Sequence, residues 1–293
     1  MKCTFETKEI PFTGSTGTAT LTENTAVVTL PGITREYTFA QLSDLHIADW
    51  GEGDTEEEIA LAKHEIDMWG YQSVSVDDGS GEGTHHVVPI DTLVIERINS
   101  LAPDAVLVCG DISDIGTRTS YLKTKEVVSK LTPPTFLTPG NHERLTPETP
   151  AHIAEAFAEL YGRVEPVEVY RVGEIKIIRP DSSFSQFTDA QRERVEAELD
   201  DGTPAVIFTH IPFFTDKLLS VTGPGWAEYF LAGNEKHDEP TKRFAEMIRE
   251  RKPVVIAGHT HAKLDFPDDE PLQLISTPAF TGFYRIIKFV PEK

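Results

Sequence analysis

The chain has 293 residues, 39% of them hydrophobic, so it is long enough to bury a sizeable core, and one large domain is expected rather than two. Its formal net charge of −21 disfavours unassisted binding to nucleic acid or anionic membrane, because affinity for both rests largely on Lys and Arg facing phosphates, and it favours small substrates. No apolar run approaches the roughly 20 residues of a membrane span, and the two cysteines, Cys3 and Cys109, allow at most one bridge, so a disulfide framework is not expected.

The opening residues, Met1 to Glu6, lack the apolar core of a secretory signal, which makes a cytoplasmic chain the expectation. Residues 18–22 and 26–30 alternate around Glu23-Asn24-Thr25 and read as a hairpin turning at those three residues. Residues 1–36 are therefore expected as a β-hairpin extension packed on the core, covering a sheet edge, and residues 37–293 as the main domain. The β-like stretch 37–42 runs into Asp44-Leu45-His46. Over 55–69 the spacing of Ile59, Ala62, Ile66 and Trp69 predicts a helix, and the acidic, Gly-rich run 77–83 then reads as a mobile loop rather than a metal site.

A helix over 89–101 leads into strand 105–109 and Gly110-Asp111, the first of a series of α-then-β steps. Helix 120–131 precedes strand 135–137 and Gly140-Asn141-His142-Glu143. Helix 189–199 precedes strand 205–208 and Thr209-His210, and helix 241–251 precedes strand 254–257 and Gly258-His259-Thr260-His261. Two further strands, 272–276 and 284–289, are expected to close a second sheet.

Ligands at strand ends converge at one edge of a sheet, where open α/β folds place their sites. Four histidines (His46, His210, His259, His261), two aspartates (Asp44, Asp111) and Asn141 make seven N/O donors. Seven exceed the needs of one ion, so the count points to two metals sharing a carboxylate. Singly, a histidine such as His210 reads as an ordinary core or surface residue; the signal lies in all five motifs together. His64, His85, His86, His152 and His237 match no such position and are read as ordinary surface histidines.

These residues, in this order, resemble the calcineurin-like metallophosphoesterase family, whose pattern is DxH, GDxxD, GNH(E/D), a lone His and GHxH. The resemblance runs from about Tyr37 to the end of the chain and takes in Asp114, Pro180-Asp181-Ser182-Ser183 and His210-Ile211-Pro212. It implies an α/β fold, a four-layer α/β/β/α sandwich with a dinuclear metal site at strand ends. Residue by residue it gives one ion Asp44, His46 and His261, the other Asn141, His210 and His259, with Asp111 bridging. It implies hydrolysis of a small phosphomonoester or phosphodiester by a metal-bridging hydroxide, with His142 as general acid. Asp114 is expected to orient a histidine or a backbone turn, Glu143 to orient His142, and Arg144 to contact phosphate. Manganese, iron or zinc suit such mixed donors. With neutral histidines, two carboxylates leave the pair of divalent ions a net charge near about +2 to hold a phosphate.

Departures from the pattern narrow the subclass. Asp114 stands where purple acid phosphatases carry a tyrosine, and Ile47 and Ile115 stand where protein serine/threonine phosphatases carry glycine and arginine. A tyrosinate-iron centre and phosphoprotein substrates are thereby disfavoured. The cyclic-nucleotide phosphodiesterase-like branch resembles the chain better, through Pro180-Asp181-Ser182 and Thr188-Asp189-Ala190-Gln191. From Asp44 to Asp111 is a step of 67 positions, against 30 from Asp111 to Asn141, which predicts an insertion at about 49–88 that restricts access to the metals. The stretch 218–240, with Trp226, Tyr229, Phe230 and Asn234, reads either as a pocket wall or as a loop packed on the body. Two other classes compete. A non-catalytic metal-binding scaffold for protein association has no need of the complete ligand and acid set, and a metal-dependent nuclease needs a basic groove that this composition does not offer.

Overall fold

A computed structural model describes residues 2–81, 83–233, 235–267 and 271–292. Strands β1 (Cys3–Gly14), β2 (Gly17–Thr29) and β3 (Tyr37–Leu42) are followed by helices α1 (Glu56–Gln72) and α2 (Val87–Leu101). Next come β4 (Ala105–Cys109), α3 (Arg118–Val128), β5 (Thr135–Thr138), α4 (Ala151–Tyr161), β6 (Val167–Val172) and β7 (Ile175–Pro180). The rest comprises α5 (Asp189–Asp200), β8 (Ala205–Phe208), α6 (Asp216–Thr222), α7 (Glu239–Arg251), β9 (Val254–Ala257), β10 (Leu264–Asp265), β11 (Gln273–Ile275) and β12 (Phe283–Val290).

The strands form two mixed six-stranded sheets, ordered β1-β2-β12-β3-β4-β5 and β10-β11-β9-β8-β7-β6. Strands β4 and β9 are buried along their whole length, as continuous apolar runs are when both faces of a sheet are covered. Phe39, Leu107 and Ile287 of the first sheet meet Ile177, Phe208 and Ile256 of the second in a core between the sheets. Ile90, Val94 and Ile98 of α2 cover the first sheet from outside, and Val195 of α5 with Phe244 and Ile248 of α7 cover the second. The result is the four-layer α/β/β/α sandwich. No helix of the described residues is long and apolar enough to cross a membrane, and both cysteines are buried free thiols.

Several elements differ from their sequence reading. The hairpin turns at 14–17, and β2 runs straight through Glu23-Asn24-Thr25. Those polar residues mimic a turn in sequence, but they are held by partners distant in the chain. Asn24 accepts from Arg285 Nε at 2.6 Å, and Glu23 Oε2 accepts from the Tyr284 hydroxyl at 2.6 Å. Strand β12 does not join the second sheet; it lies in the first, parallel to β2 and antiparallel to β3. Helix α4 and strand β6 precede no ligand motif and were not anticipated. The run 77–83 is an exposed loop anchored at its ends, where Asp77 bridges Thr18 of β2 and Val76 bridges Thr84; Glu82 lies outside the described residues. Thr188 and Gln191 form a reciprocal capping box at the start of α5. That is a general helix-start device, so this stretch does not support kinship with one branch of the family.

Candidate metal centre

Strands β3, β4 and β5 are parallel neighbours in one sheet, and β8 and β9 are parallel neighbours in the other. Their C-terminal ends therefore carry Asp44 and His46, Asp111, Asn141 and His142, His210, and His259 and His261 to one edge of the sandwich. Backbone bonds knit the turns together: Asp44 N donates to Gly110 O at 3.0 Å, His46 N to Asp111 O at 3.0 Å, and Gly258 N to His210 O at 2.9 Å. Two glycines permit this crowding. A Cβ on Gly140 would collide with the Asp111 carboxylate, and one on Gly258 with the Ser43 hydroxyl and Asp44.

Nine non-glycine residues adopt positive φ among those described, and five of them are Asp44 (52°), His46 (49°), Asp111 (47°), His259 (72°) and His261 (50°). Left-handed backbone costs an L-residue about 1–3 kcal/mol and persists where the surroundings over-determine it. Here it turns successive side chains inward toward one point.

The seven donors fall into two groups. Asp44, His46 and His261 form one, with His46 Nε2 and His261 Nε2 3.0 Å apart and His261 Nε2 3.6 Å from Asp44 Oδ1. Asp111, His210 and His259 form the other, joined by Asn141. In it His210 Nε2 lies 3.0 Å from Asp111 Oδ2, 3.1 Å from Asn141 Oδ1 and 3.2 Å from His259 Nδ1.

Tautomers test whether these groups suit metals. His210 Nδ1 lies 2.6 Å from the Cys109 carbonyl, which can only accept, so Nδ1 carries a hydrogen, and in the neutral ring Nε2 is left with a lone pair. That lone pair confronts a carboxylate and an amide oxygen, both acceptors. His46 Nδ1 is likewise committed to Asp114 Oδ1 at 2.5 Å, with its Nε2 aimed at His261 Nε2. Either a proton on Nε2 or a cation among these donors would satisfy the facing oxygens, and the two groups of donors fit a metal pair.

The electrostatics agree. Burial opposes ionisation of Asp111, yet His210, His142 and His46 outweigh it and hold the carboxyl well below the usual range. Burial and neighbouring His210 push His259 down to about 4, keeping it neutral as a ligand must be. Burial also opposes a charge on His210, but Asp111 and then Asp44 draw a proton to it and raise it to about 9; a bound metal would supply that positive charge instead.

Asp114 is buried between His46 and His142: its Oδ1 lies 2.5 Å from His46 Nδ1 and 3.2 Å from His142 Nδ1, and its carbonyl accepts from His142 Nδ1 at 2.9 Å. His142 stands at the surface of the site, with a side-chain exposure of 36%. Burial lowers its basicity, but Asp114 and Asp111 more than compensate and raise it to about 10. Arg144 lies beside Asn141, donating from Nε to its carbonyl at 3.1 Å.

Glu143 does not touch His142, contrary to the expectation from sequence. It is fully buried, and its Oε1 accepts from Ile112 N, Ser113 N and the Tyr161 hydroxyl, each at 2.6 Å. Its Oε2 accepts from Gly140 N at 2.6 Å. Glu143 thus clamps the Asp111 turn to the Asn141 turn. Glu143→Ala would strand three backbone N–H groups and a phenol at about 1–3 kcal/mol each, not fully additive. We expect a stability loss on the order of 3–5 kcal/mol, read from the denaturant midpoint. An unchanged midpoint would show that the clamp is dispensable.

Sequence reasoning gave Trp69 no role at the site. Its ring stacks on His46, with centroids 4.1 Å apart and planes 26° apart, and lies 5.2 Å from His261 and 5.5 Å from Phe280. Helix α1, inside the segment 49–88, therefore walls the Asp44–His46–His261 side. His237, read as a surface residue, is buried and lines a cavity on the opposite side. His86 caps α2, and His85 Nδ1 reaches the Ser73 carbonyl, so neither enters the site. Ser182 accepts from His210 N and Ile211 N, both at 3.2 Å, which explains a serine at the end of β7.

Residues 37–263 match the family model described as "Calcineurin-like phosphoesterase". A dimetal phosphatase from Danio rerio superposes with a TM-score of 0.51 at 12% identity, over 85% of this chain and 89% of that one. A purple acid phosphatase from yellow lupin (Lupinus luteus) seeds gives 0.47 at 11% identity, over 91% of this chain and 46% of that one. At such identities the likeness is one of fold. No curated protein matches the sequence.

Proposed function

The chain belongs to the calcineurin-like phosphoesterase family and is a metal-dependent phosphoester hydrolase, and from that premise we propose that it cleaves a small phosphomonoester or phosphodiester at two divalent ions. Asp44, His46 and His261 would hold one, Asn141, His210 and His259 the other, with Asp111 shared. The observation that carries this reading is the convergence of the buried His210 Nε2, whose Nδ1 is committed to the Cys109 carbonyl, with Asp111 Oδ2 and Asn141 Oδ1. Manganese, iron and zinc all suit the donor set. When bound, such ions supply an activated water at neutral pH and positive charge against the phosphoryl oxygens.

The chain's own residues do the rest. Asp114 fixes His46 in the tautomer that leaves Nε2 free for a ligand bond. It also holds His142 by Nδ1, so that Nε2 is available to give a proton to the departing oxygen. Arg144, at the rim beside Asn141, is placed to pair with a phosphoryl oxygen. Trp69 and Phe280 exclude water from one flank of the ligands. The segment 49–88 then acts as a fixed wall more than a lid, since Val74 N is bonded to Phe280 O and Asp77 to Thr18.

Chelation followed by reloading tests the proposal. Two ions per chain and restored hydrolysis of aryl phosphates are expected. Two bound ions without turnover of any phosphoester would favour the scaffold, and salt-dependent DNA binding with cleavage would favour the nuclease.

A further inference from the structure

With Trp69 closing the His46 flank, the site opens on the other side, toward Asn141 and His259. There a cavity of about 440 Å³ is lined by both of these together with Phe184, Ser185, Gln186 and Tyr229. Its volume lies in the range of small-molecule sites, roughly 300–1,000 Å³. Two of its walls are aromatic and unusually open: Phe184 is 50% and Tyr229 51% exposed, in a protein where few large apolar side chains face solvent.

Both aromatics sit on segments hydrogen-bonded to the turn that carries His210. Phe184 sits in a tight turn closed by Ser185 N donating to Ser182 O at 2.8 Å, with Ser185 in left-handed backbone at φ 58°. The hydroxyl of the same Ser182 pins the His210 turn. Tyr229 ends a 3-10 helix, Pro224–Tyr229, whose exit is paired to the His210 loop by Leu231 N to Pro212 O and Phe214 N to Leu231 O, each 3.0 Å. The Tyr229 ring lies 6.3 Å from that of His259. Strained backbone and an exposed aromatic pair, both fixed to one metal group, mark a built recognition surface.

We propose that this cavity is the subsite for the organic part of the substrate and that it selects phosphoesters of planar, ring-bearing alcohols. Phe184 and Tyr229 supply faces for the ring, and Ser185 and Gln186 supply hydrogen bonds to its polar edge. The inference rests on the metal group being the reaction centre, because the ring must lie beside a phosphate held there.

The test compares 2-naphthylmethyl phosphate with butyl phosphate on the metal-loaded protein, two primary alkyl esters whose leaving groups differ little in basicity. The wild type is expected to prefer the naphthylmethyl ester. Phe184→Ala and Tyr229→Ala should each lower kcat/KM for it roughly 10–100-fold more than for the butyl ester, mainly through KM. Tyr229→Phe, which keeps the ring, should retain most of the preference. Absence of a preference in the wild type, or equal losses on both esters, overturns the proposal. Calorimetric binding of the corresponding non-hydrolysable phosphonates separates this from failure of the catalytic reading. Preferential binding that both Ala variants lose supports the subsite even without turnover, and binding without preference rejects it.

Discussion

Asp111→Asn is expected to leave well under two metal ions per chain and to remove nearly all turnover. Asp111 is buried at the junction of the two ligand groups, with Oδ2 3.0 Å from His210 Nε2 and Oδ1 accepting from His142 N at 3.0 Å. Its charge is felt by His46 of the other group and opposes that of Asp44. On the proposed ligand assignment a single histidine would remove one neutral donor from one ion, whereas this substitution would withdraw a negative charge shared by both. The effect on affinity should exceed the roughly 10–100-fold typical of losing a residue that merely supports a ligand. Asparagine preserves shape, so circular dichroism should be unchanged while metal analysis shows the deficit. Two tightly bound ions and ordinary turnover in this variant would mean that Asp111 does not bridge.

His142→Ala separates proton donation from architecture. A general acid contributes about 10²–10⁴-fold, but a nitrophenolate leaves readily as the anion and gains little from protonation. An alkyl phosphoester should therefore slow by roughly that full factor, and a nitrophenyl ester by far less. The geometry favours such a role: the ring is held through Nδ1, about a third of the side chain faces solvent, and flanking carboxylates raise its basicity so that it is protonated near neutral pH. Asp114→Asn should act in the same direction, with an added loss of affinity at His46, because it weakens the hold on both rings. Equal losses on both esters in His142→Ala would identify a structural histidine.

Legibility along the chain followed the locality of the cause. The apolar runs into Gly110-Asp111, Thr209-His210 and Gly258-His259 read as strands because their pattern is written in adjacent residues, and the α-then-β steps followed from helical spacing. The Glu23-Asn24-Thr25 turn failed because Arg285 and Tyr284, more than two hundred positions away, satisfy Asn24 and Glu23 inside a strand. Glu143 was misassigned for a related reason. Its neighbour in sequence is His142, but its hydrogen bonds go to the backbone of Ile112 and Ser113 and to Tyr161.

What the sequence by itself determined was the set of donor types and the rule that each follows a strand, because both are local: an apolar run, a glycine that admits a close turn, then Asp, Asn or His. From these alone an α/β fold with strand-end ligands follows; the layered sandwich and metal-dependent hydrolysis came with the family resemblance that the motifs carry. Only the tertiary structure decided how the donors divide into two groups, which ring nitrogens face acceptors outside those groups, and that five of the residues sit in left-handed backbone. It also decided that Trp69 shuts one flank while Phe184 and Tyr229 frame the other. These facts depend on where separate turns meet in space, and that is fixed by the register of β3, β4, β5, β8 and β9 and by the packing of the two sheets, none of which is encoded in any single stretch of residues.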